Sequence, residues 1–523
     1  MFDIDKGPSR VMNNVIQLET RVGNNQQMAQ SNSKEAFDML MIAVSKEVSE
    51  MFSTDICLEM GDRALDAIEN RAEIYPQIIE SSAQKSAPAK KSRLEVLLKD
   101  QELLSIYKRF FVLSFIINIV LFILAALGHF NYAHNNAALF ALGNVLLLAL
   151  VRNEIFLRLT YETTVQLFGH SIVPLRLKLW ITHGLQNLGG IHAGCGTASI
   201  VWSIYAVVEL FVHRATVPTP PIAILFVVIF MLLISCLAAV PVLRHVHHNV
   251  FENTHRICGW FALALIWCFI LLLASYDPSR NVYDFSSHGR HRLVNRLDIW
   301  FAAVLTLLVF LPWALIKKVP VRTWISPDQS LSLITFADGL PVGTFARIAR
   351  NPLKEWHAFG AASDGFSENT LICGAVGDFT KGLVSHPPSH IWTRRVRFAG
   401  VTYLANLYTR AVFVATGSGL GPFLSFLMQP TRVDCHLIFI AKNVEQIYGP
   451  YITNILSRFP QEKLIVHDTA ILGRPNLAKL VVDRVKKCEA EVVIVTSNPA
   501  GSKTVIDGCR AAGIPAFGPI WDS

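Results

Sequence analysis

Long apolar runs dominate the middle of the chain, at roughly 110–130, 133–151, 189–212, 221–243, 257–275 and 299–316. Each is near the ~20 residues that cross a hydrocarbon core. Their number is even, so the pattern predicts a six-helix transmembrane α-bundle that returns the chain to its starting side. The stretch before them is polar, with "VGNNQQMAQSNSK" and the linker "SAQKSAPAKKS", and reads as a cytosolic, partly disordered preface. After Lys318 the pattern changes to short alternating runs, "VPVRTWISP", "LSLITFADGLP" and "GTFARIAR", which predict a small antiparallel β-barrel. Strand and helix patterns then alternate from "CHLIFIAKN" to "SKTVIDGCRAAG", as in a parallel α/β sheet. The fold class expected is a multi-domain membrane protein with domains 1–105 (preface), 106–318 (membrane bundle), 319–404 (barrel) and 405–523 (α/β domain).

Composition strengthens the membrane reading: 52% of the 523 residues are hydrophobic, 16% are charged, and the mean hydropathy is +0.39. The net charge of +8 does not point to nucleic acid, because the basic residues sit beside apolar runs. Arg109, Arg152, Arg158, Arg176, Lys178, Arg244, Lys317, Lys318 and Arg322 all fall on one side, which is expected to be the cytosol, with both termini there. The host membrane is the plasma membrane or the endoplasmic reticulum. One outward loop dissents, with Arg280, Arg290, Arg292 and Arg296. "MFDIDKGPSR" has no apolar run behind its charges and is not expected to be a signal peptide. The nine cysteines are scattered without a CxxC pair, which argues against a disulfide framework or a zinc ribbon.

Histidines concentrate in the apolar half: His183, His192, His245, His247, His248 and His255. The "HVHH" group is one box where a di-iron centre needs several, and its members are expected in the solvated interface. His192 and His255 differ. They lie near the starts of the third and fifth runs, which are parallel, so both imidazoles should stand at one cytosolic depth. Two facing imidazoles are what a b-type haem needs for axial ligation, and Gly189–Gly190 lets a macrocycle or a helix approach. The arrangement resembles the six-helix ferric reductase and NADPH oxidase core. There each of these helices carries a second histidine about four turns, ~20 Å, further on. Here Tyr205 and Ala206 occupy that place in one helix, Cys268 and Phe269 in the other. The expectation is therefore at most one haem on the cytosolic side, with no electron exit to the outer face.

In "AVFVATGSGLGPFLSF", residues 411–426, Gly417 and Gly419 are followed by Pro422 where a Rossmann fingerprint wants a third glycine. With "EWHAFGAASDG" and "GAVGDFTKGLV" upstream, the stretch resembles the ferredoxin-reductase superfamily, whose nucleotide loop is GxGxxP. The resemblance implies that Thr416 to Gly421 meet a pyrophosphate through backbone N–H groups, with Pro422 near the helix start. It implies that Phe359 lies against the isoalloxazine of FAD and His357 meets its ribityl or phosphate part, while Gly377, Thr380 and Lys381 bind the FAD pyrophosphate. The hydroxyl usually offered to flavin N5 is missing at Gly360, and Ser363 is a conceivable substitute. Ser497, Asn498 and Pro499 replace the family's Cys-Gly-Pro, which puts Ser497 nearest the hydride path; Trp521 joins the cofactor-binding set. Lys442, with Arg474 further on, is a candidate partner for a 2′-phosphate, so NADPH is favoured over NADH. Without the resemblance, the same stretches read as an ordinary strand–turn–helix and a hairpin with one exposed lysine.

The tail "SNPAGSKTVIDGCRAAGIPAFGPIWDS", with "GRPNL" and "IYGPY", resembles the fungal TmpA-type integral membrane flavoproteins. Their soluble half also recurs at the end of some adenylate-forming membrane proteins. The likeness covers roughly 105–523. It implies an NAD(P)H-dependent oxidoreductase in the lipid bilayer, passing electrons through FAD to a haem or a small-molecule acceptor at the cytosolic face. A redox-sensing membrane regulator of fungal development keeps the same residues, and so does a tailoring enzyme of secondary metabolism.

Overall fold

The computed structural model describes residues 105–214, 217–284 and 294–519. The polar preface, Arg290, Arg292 and Trp521 lie outside the described residues, as does the side chain of His245. The first half forms, in chain order, α1 (Ile106–Ala126), α2 (Ala137–Leu150), α3 (Glu154–Phe168), α4 (Leu175–Gln186), α5 (Gly189–Val212), α6 (Thr219–Ala238), α7 (His248–Ser275) and α8 (Leu297–Ala314), with short turns of helix at Asn131–Asn135 and Pro241–Val246. By length and composition, α1, α5, α6, α7 and α8 could each cross a membrane. Their outward faces are apolar: α1 alone exposes Val112, Leu113, Ile116 and Ile117, a surface matched to lipid rather than water.

The second apolar run departs from expectation. The 14 residues of α2 span about 21 Å, short of a ~30 Å core, and the chain then bends by 64° into α3. Asn153 drives the bend. Its side chain accepts from the N–H groups of Ile155 (2.9 Å) and Phe156 (3.1 Å), capping α3, and donates to the Leu308 carbonyl at 2.8 Å. Six separate spans thus become five, or six if the bent pair counts as one.

Helices α3 and α4 are a second departure. Their segments looked like mere basic edges; they form a pair that seats the C-terminal half. The Tyr161 hydroxyl donates to the Leu185 carbonyl at 3.1 Å, and Thr182 shares a 2.7 Å hydrogen bond with Tyr408. Leu157, Val165, Leu179 and Leu185 pack into the same core as the C-terminal sheet. Lys178, expected at the membrane edge, is 2% exposed because it shares the inward face of α4 with Thr182. Within the apolar bundle, α5 packs on α1, α2 and α6, and α7 on α6. The glycines serve the neighbouring helix: a Cβ at Gly190 would overlap the Tyr107 carbonyl, and one at Gly194 would stand 2.7 Å from that of Phe111.

Only Leu315 separates α8 from the first strand of the barrel, which begins inside the segment expected to be membrane helix. The strands are β1 (Ile316–Pro320), β2 (Arg322–Ile325), β3 (Leu331–Ala337), β4 (Thr344–Ala349), β5 (His357–Ser363), β6 (Glu368–Gly374), β7 (His390–Arg394) and β8 (Phe398–Ala399), with α9 (Asp378–Ser385) between β6 and β7. They form one curled antiparallel sheet in the order β1-β7-β4-β5-β6-β3-β2, with β8 added on β4. The chain continues through β9 (Arg410–Thr416), α10 (Gly421–Met428), β10 (Asp434–Ala441), α11 (Val444–Arg458), β11 (Leu464–Asp468), α12 (Leu477–Cys488), β12 (Val492–Thr496), α13 (Pro499–Ala511) and β13 (Ala516–Phe517). Here the sheet is parallel throughout, in the order β11-β10-β9-β12-β13. Residues 411–415 of β9 are all fully buried, as a strand covered on both faces requires.

One ion cluster ties the halves together. Glu154, 4% exposed at the start of α3, receives Arg347 of β4 and Arg394 of β7 on a single carboxylate oxygen. Removing the acid from a buried cluster strands its partners. Glu154→Ala is expected to destabilise the detergent-solubilised chain by about 3–5 kcal/mol, read as a lower thermal midpoint.

Candidate active site

The order of strands in the parallel sheet reverses between β9 and β12, the switch point at which ligands bind in open α/β sheets. The sequence places its turn there. Thr416 ends β9, and its hydroxyl meets that of Ser497, just beyond β12, at 2.6 Å. Gly417 has φ +56°, and a Cβ on it would meet only the Tyr448 hydroxyl at 3.9 Å, so the turn is open above this residue. Gly419 is needed for closeness instead: a Cβ there would overlap the Thr496 carbonyl. A 3-10 turn, Gly417–Leu420, then leads into α10 with Pro422 in its first turn. On the adjoining strand end, Asn498 accepts from the Gly501 N–H at 2.8 Å, capping α13, with Pro499 as its first residue. Ser497 is 9% exposed, held between Thr416 and the backbone at Gly501. Two helix N-termini therefore converge on one concave edge, where N–H groups and dipoles favour an anion. Lys442 and Arg474 are both exposed.

His357 and Phe359 of β5 point to one face, toward Phe379 of α9, whose ring stacks on His357 at 4.1 Å and lies 6.3 Å from Phe359. His357 Nε2 is buried and makes no hydrogen bond, with Glu355 Oε2 at 3.2 Å. At the start of α9, the Thr380 hydroxyl accepts from the Val376 and Gly377 N–H groups, each at 3.1 Å, so it serves its own helix. Gly377 has open space beside it, and Lys381 is exposed. An aromatic face beside an open helix start with a lysine fits a planar ring carrying a pyrophosphate.

The alternate residues of β5 explain the missing hydroxyl. A Cβ at Gly360 would overlap the Pro422 nitrogen and Cδ and stand 2.5 Å from its Cα, and one at Gly421 would stand 2.7 Å from the Gly360 carbonyl. The barrel strand and the glycine turn touch backbone to backbone, which only glycine permits. Ser363 is no substitute for the missing group. It is fully buried, and its hydroxyl accepts from Leu340 (3.0 Å) and Gly365 (3.1 Å) N–H groups inside the barrel.

In the apolar bundle, the His192 and His255 rings lie 6.1 Å apart, centroid to centroid. His192 Nδ1 is 2.9 Å from the Leu148 carbonyl and His255 Nδ1 is 3.4 Å from that of Ser235. A carbonyl only accepts, so each Nδ1 bears the proton and each Nε2 keeps its lone pair, the tautomer of a metal-bound imidazole. With metal–nitrogen bonds of about 2 Å, two imidazoles on one metal have centroids about 6 Å apart, the spacing this pair shows. The deeper positions are filled by side chains. Trp202 is fully buried and donates to Asn118 Oδ1 at 3.0 Å; the Tyr205 hydroxyl meets His134 Nδ1 at 2.7 Å; Phe122 and Phe140 pack edge-on and tilted against them. His183 lies elsewhere, on α4, with its ring 4.6 Å from Phe517, and burial with the charge of Arg510 lowers its pKa. His247 and His248 are exposed.

Residues 401–523 match the family model of the C-terminal domain of adenylate-forming reductase 03009. Two Coprinopsis cinerea proteins are similar over most of the chain. Adenylate-forming reductase 06235 is 30% identical over 475 residues, 89% of this chain and 44% of that protein. Adenylate-forming reductase 03009 is 32% identical over 432 residues, 81% of this chain and 40% of that protein. The chain thus spans less than half the length of these curated relatives. Among solved structures, a type IV self-sufficient cytochrome P450 monooxygenase aligns with 47% of this chain and 32% of its own at 12% identity and a TM-score of 0.31. A ferredoxin-NADP+ reductase from Plasmodium falciparum aligns with 39% of this chain and 96% of its own at 9% identity and a TM-score of 0.30.

Proposed function

We propose that this chain is a membrane-bound flavoprotein oxidoreductase that takes electrons from NAD(P)H and passes them through FAD to an acceptor at the cytosolic membrane face. The acceptor is one b-type haem held by His192 and His255, or a small organic molecule. The observation that carries the reading is the contact of Gly360 with Pro422: it presses a GxGxxP turn at a switch point against the strand that bears His357 and Phe359. Bound there, FAD supplies the change from two-electron to one-electron transfer. The chain's own part is positioning. His357, Phe359 and Phe379 offer a face to the ring, and the Gly377 turn with Lys381 offers charge to the flavin pyrophosphate. Gly417, Gly419 and the α10 N-terminus cradle the dinucleotide, with Ser497, Asn498 and Pro499 beside its reactive end and Lys442 within reach of a 2′-phosphate. The relatives whose printed names read reductase support the reaction class; the five apolar helices support the bilayer.

Purified protein is expected to be yellow and to bleach anaerobically with NADPH. Folded protein that takes up no flavin rejects the proposal, and a lower KM for NADH would reverse the cofactor preference. A redox-sensing regulator of fungal development is the rival reading, favoured by the lack of a hydroxyl at Gly360. Bulky residues at Gly417 and Gly419 separate the two: cellular function that survives the loss of turnover selects the sensor.

A further inference from the structure

A cleft of about 450 Å3 opens between the α2–α3 bend, α7, α8 and the barrel strands β4 and β7. Arg152, Arg347, Arg394 and Glu154 form its charged wall, Phe251, Leu308 and Pro312 its apolar one, and His255 lines it as well. A further pair on the wall, Arg256 with Glu252, is joined at 3.0 Å. The arginines opposite Glu154 are less than satisfied. Arg347 and Arg394 each donate through Nη1 to the same Glu154 oxygen, and neither guanidinium makes another hydrogen bond among the described residues. Nε of each is buried without a partner. Aromatic rings hold both planes in place, Arg347 at 4.7 Å over Phe398 and Arg394 at 4.6 Å over Trp356. On both residues Nη2 also makes no hydrogen bond among the described residues, which leaves a charged N–H donor unspent beside the cleft. Arg152 adds positive charge, with its guanidinium against Gly189.

We propose that this cleft binds an apolar-bodied carboxylate. The carboxylate lies on the Nη2 groups of Arg347 and Arg394, and the body lies against Phe251, Leu308 and Pro312 beside His255. The carboxylate has two possible sources: the propionates of a porphyrin seated between His192 and His255, or a free acyl or aryl acid entering from the apolar side. The site is defined by binding and stands independently of the electron-transfer reading.

The test uses the full chain in detergent, prepared with and without haem. Octanoate binding to the haem-free chain is measured by equilibrium dialysis, with octanamide as the neutral control. Octanoate is expected to bind at least ~10-fold tighter than the amide, and Arg347→Lys and Arg394→Lys should each remove ~10-fold or more, as loss of charge-assisted hydrogen bonds does. Lysine keeps the charge opposite Glu154 but lacks the fork; circular dichroism and the thermal midpoint verify folding. In parallel, haemin and its dimethyl ester are titrated through the Soret band. An ester that binds ~10-fold more weakly, with haemin displacing octanoate, identifies the porphyrin's carboxylates as the occupants. Octanoate binding that survives haem loading identifies a free acid. The proposal is overturned if octanoate binds no better than octanamide and the ester binds as well as haemin, or if folded lysine variants leave all of these affinities unchanged.

Discussion

Replacing Gly360 by serine is expected to slow the reduction of bound flavin by NAD(P)H about 100-fold, the loss that a misplacement of roughly 1 Å produces at a reacting centre. Serine is the residue type whose hydroxyl the family resemblance calls for, so the naive expectation is a gain. The geometry argues otherwise. The new Cβ would enter the backbone of Pro422, and neither β5 nor the first turn of α10 can swing aside as a flexible side chain would. The nucleotide turn must then retreat from the flavin strand, taking with it the edge built by Thr416 and Ser497. Stopped-flow bleaching under anaerobic conditions measures the rate. Gly360→Ala should lose as much, since the obstruction is the Cβ and not the hydroxyl; an alanine variant of normal speed would show that the turn has room to yield.

The second large effect is the loss of haem. A reduced-minus-oxidised spectrum is expected to show about one low-spin b-type haem per chain, abolished by His192→Ala and equally by His255→Ala. His134→Ala is the control. It removes the partner of Tyr205 in the deep aromatic cluster and should leave the spectrum intact. Two haems per chain would contradict the packing around Trp202 and Tyr205. None would leave the two imidazoles to a small acceptor reduced directly by the flavin.

Much of the C-terminal architecture is legible in the sequence because its central strands are apolar runs, as in "AVFVA" and "VVIVT", and some of its helices open on their own caps. Asn498 before Pro499 marks the start of α13, and Gly417 marks the turn after β9. The bend at Asn153 is local too, an N-cap one residue ahead of an acid, just past the end of the apolar run. What cannot be read is non-local. α3 and α4 look like basic edges until Thr182 meets Tyr408, whose position only the folded C-terminal half supplies. Glu154, Arg347 and Arg394 lie on separate elements, and no pattern within any one of them announces the cluster. Gly360 is legible as a departure from the resemblance, but its reason, the backbone of Pro422, appears only when the two sheets are packed together.

The passage from α8 through Leu315 into β1 sets where the chain can change length. Leu315 is itself bonded, its carbonyl accepting from the Arg395 N–H at 2.8 Å, and the next residue, Ile316, is paired with Arg394. A helix turns by about 100° per residue, while a strand reverses its faces at every step. One residue inserted at this joint would rotate the barrel beneath the bundle, or slip β1 against β7, and either carries Arg394 away from Glu154. Among the described residues, the hairpin at Tyr276–Tyr283 bears no such partner register with the barrel. Insertions and deletions should therefore accumulate on that side of the bundle and be absent from the joint, where the chain has no slack to absorb them.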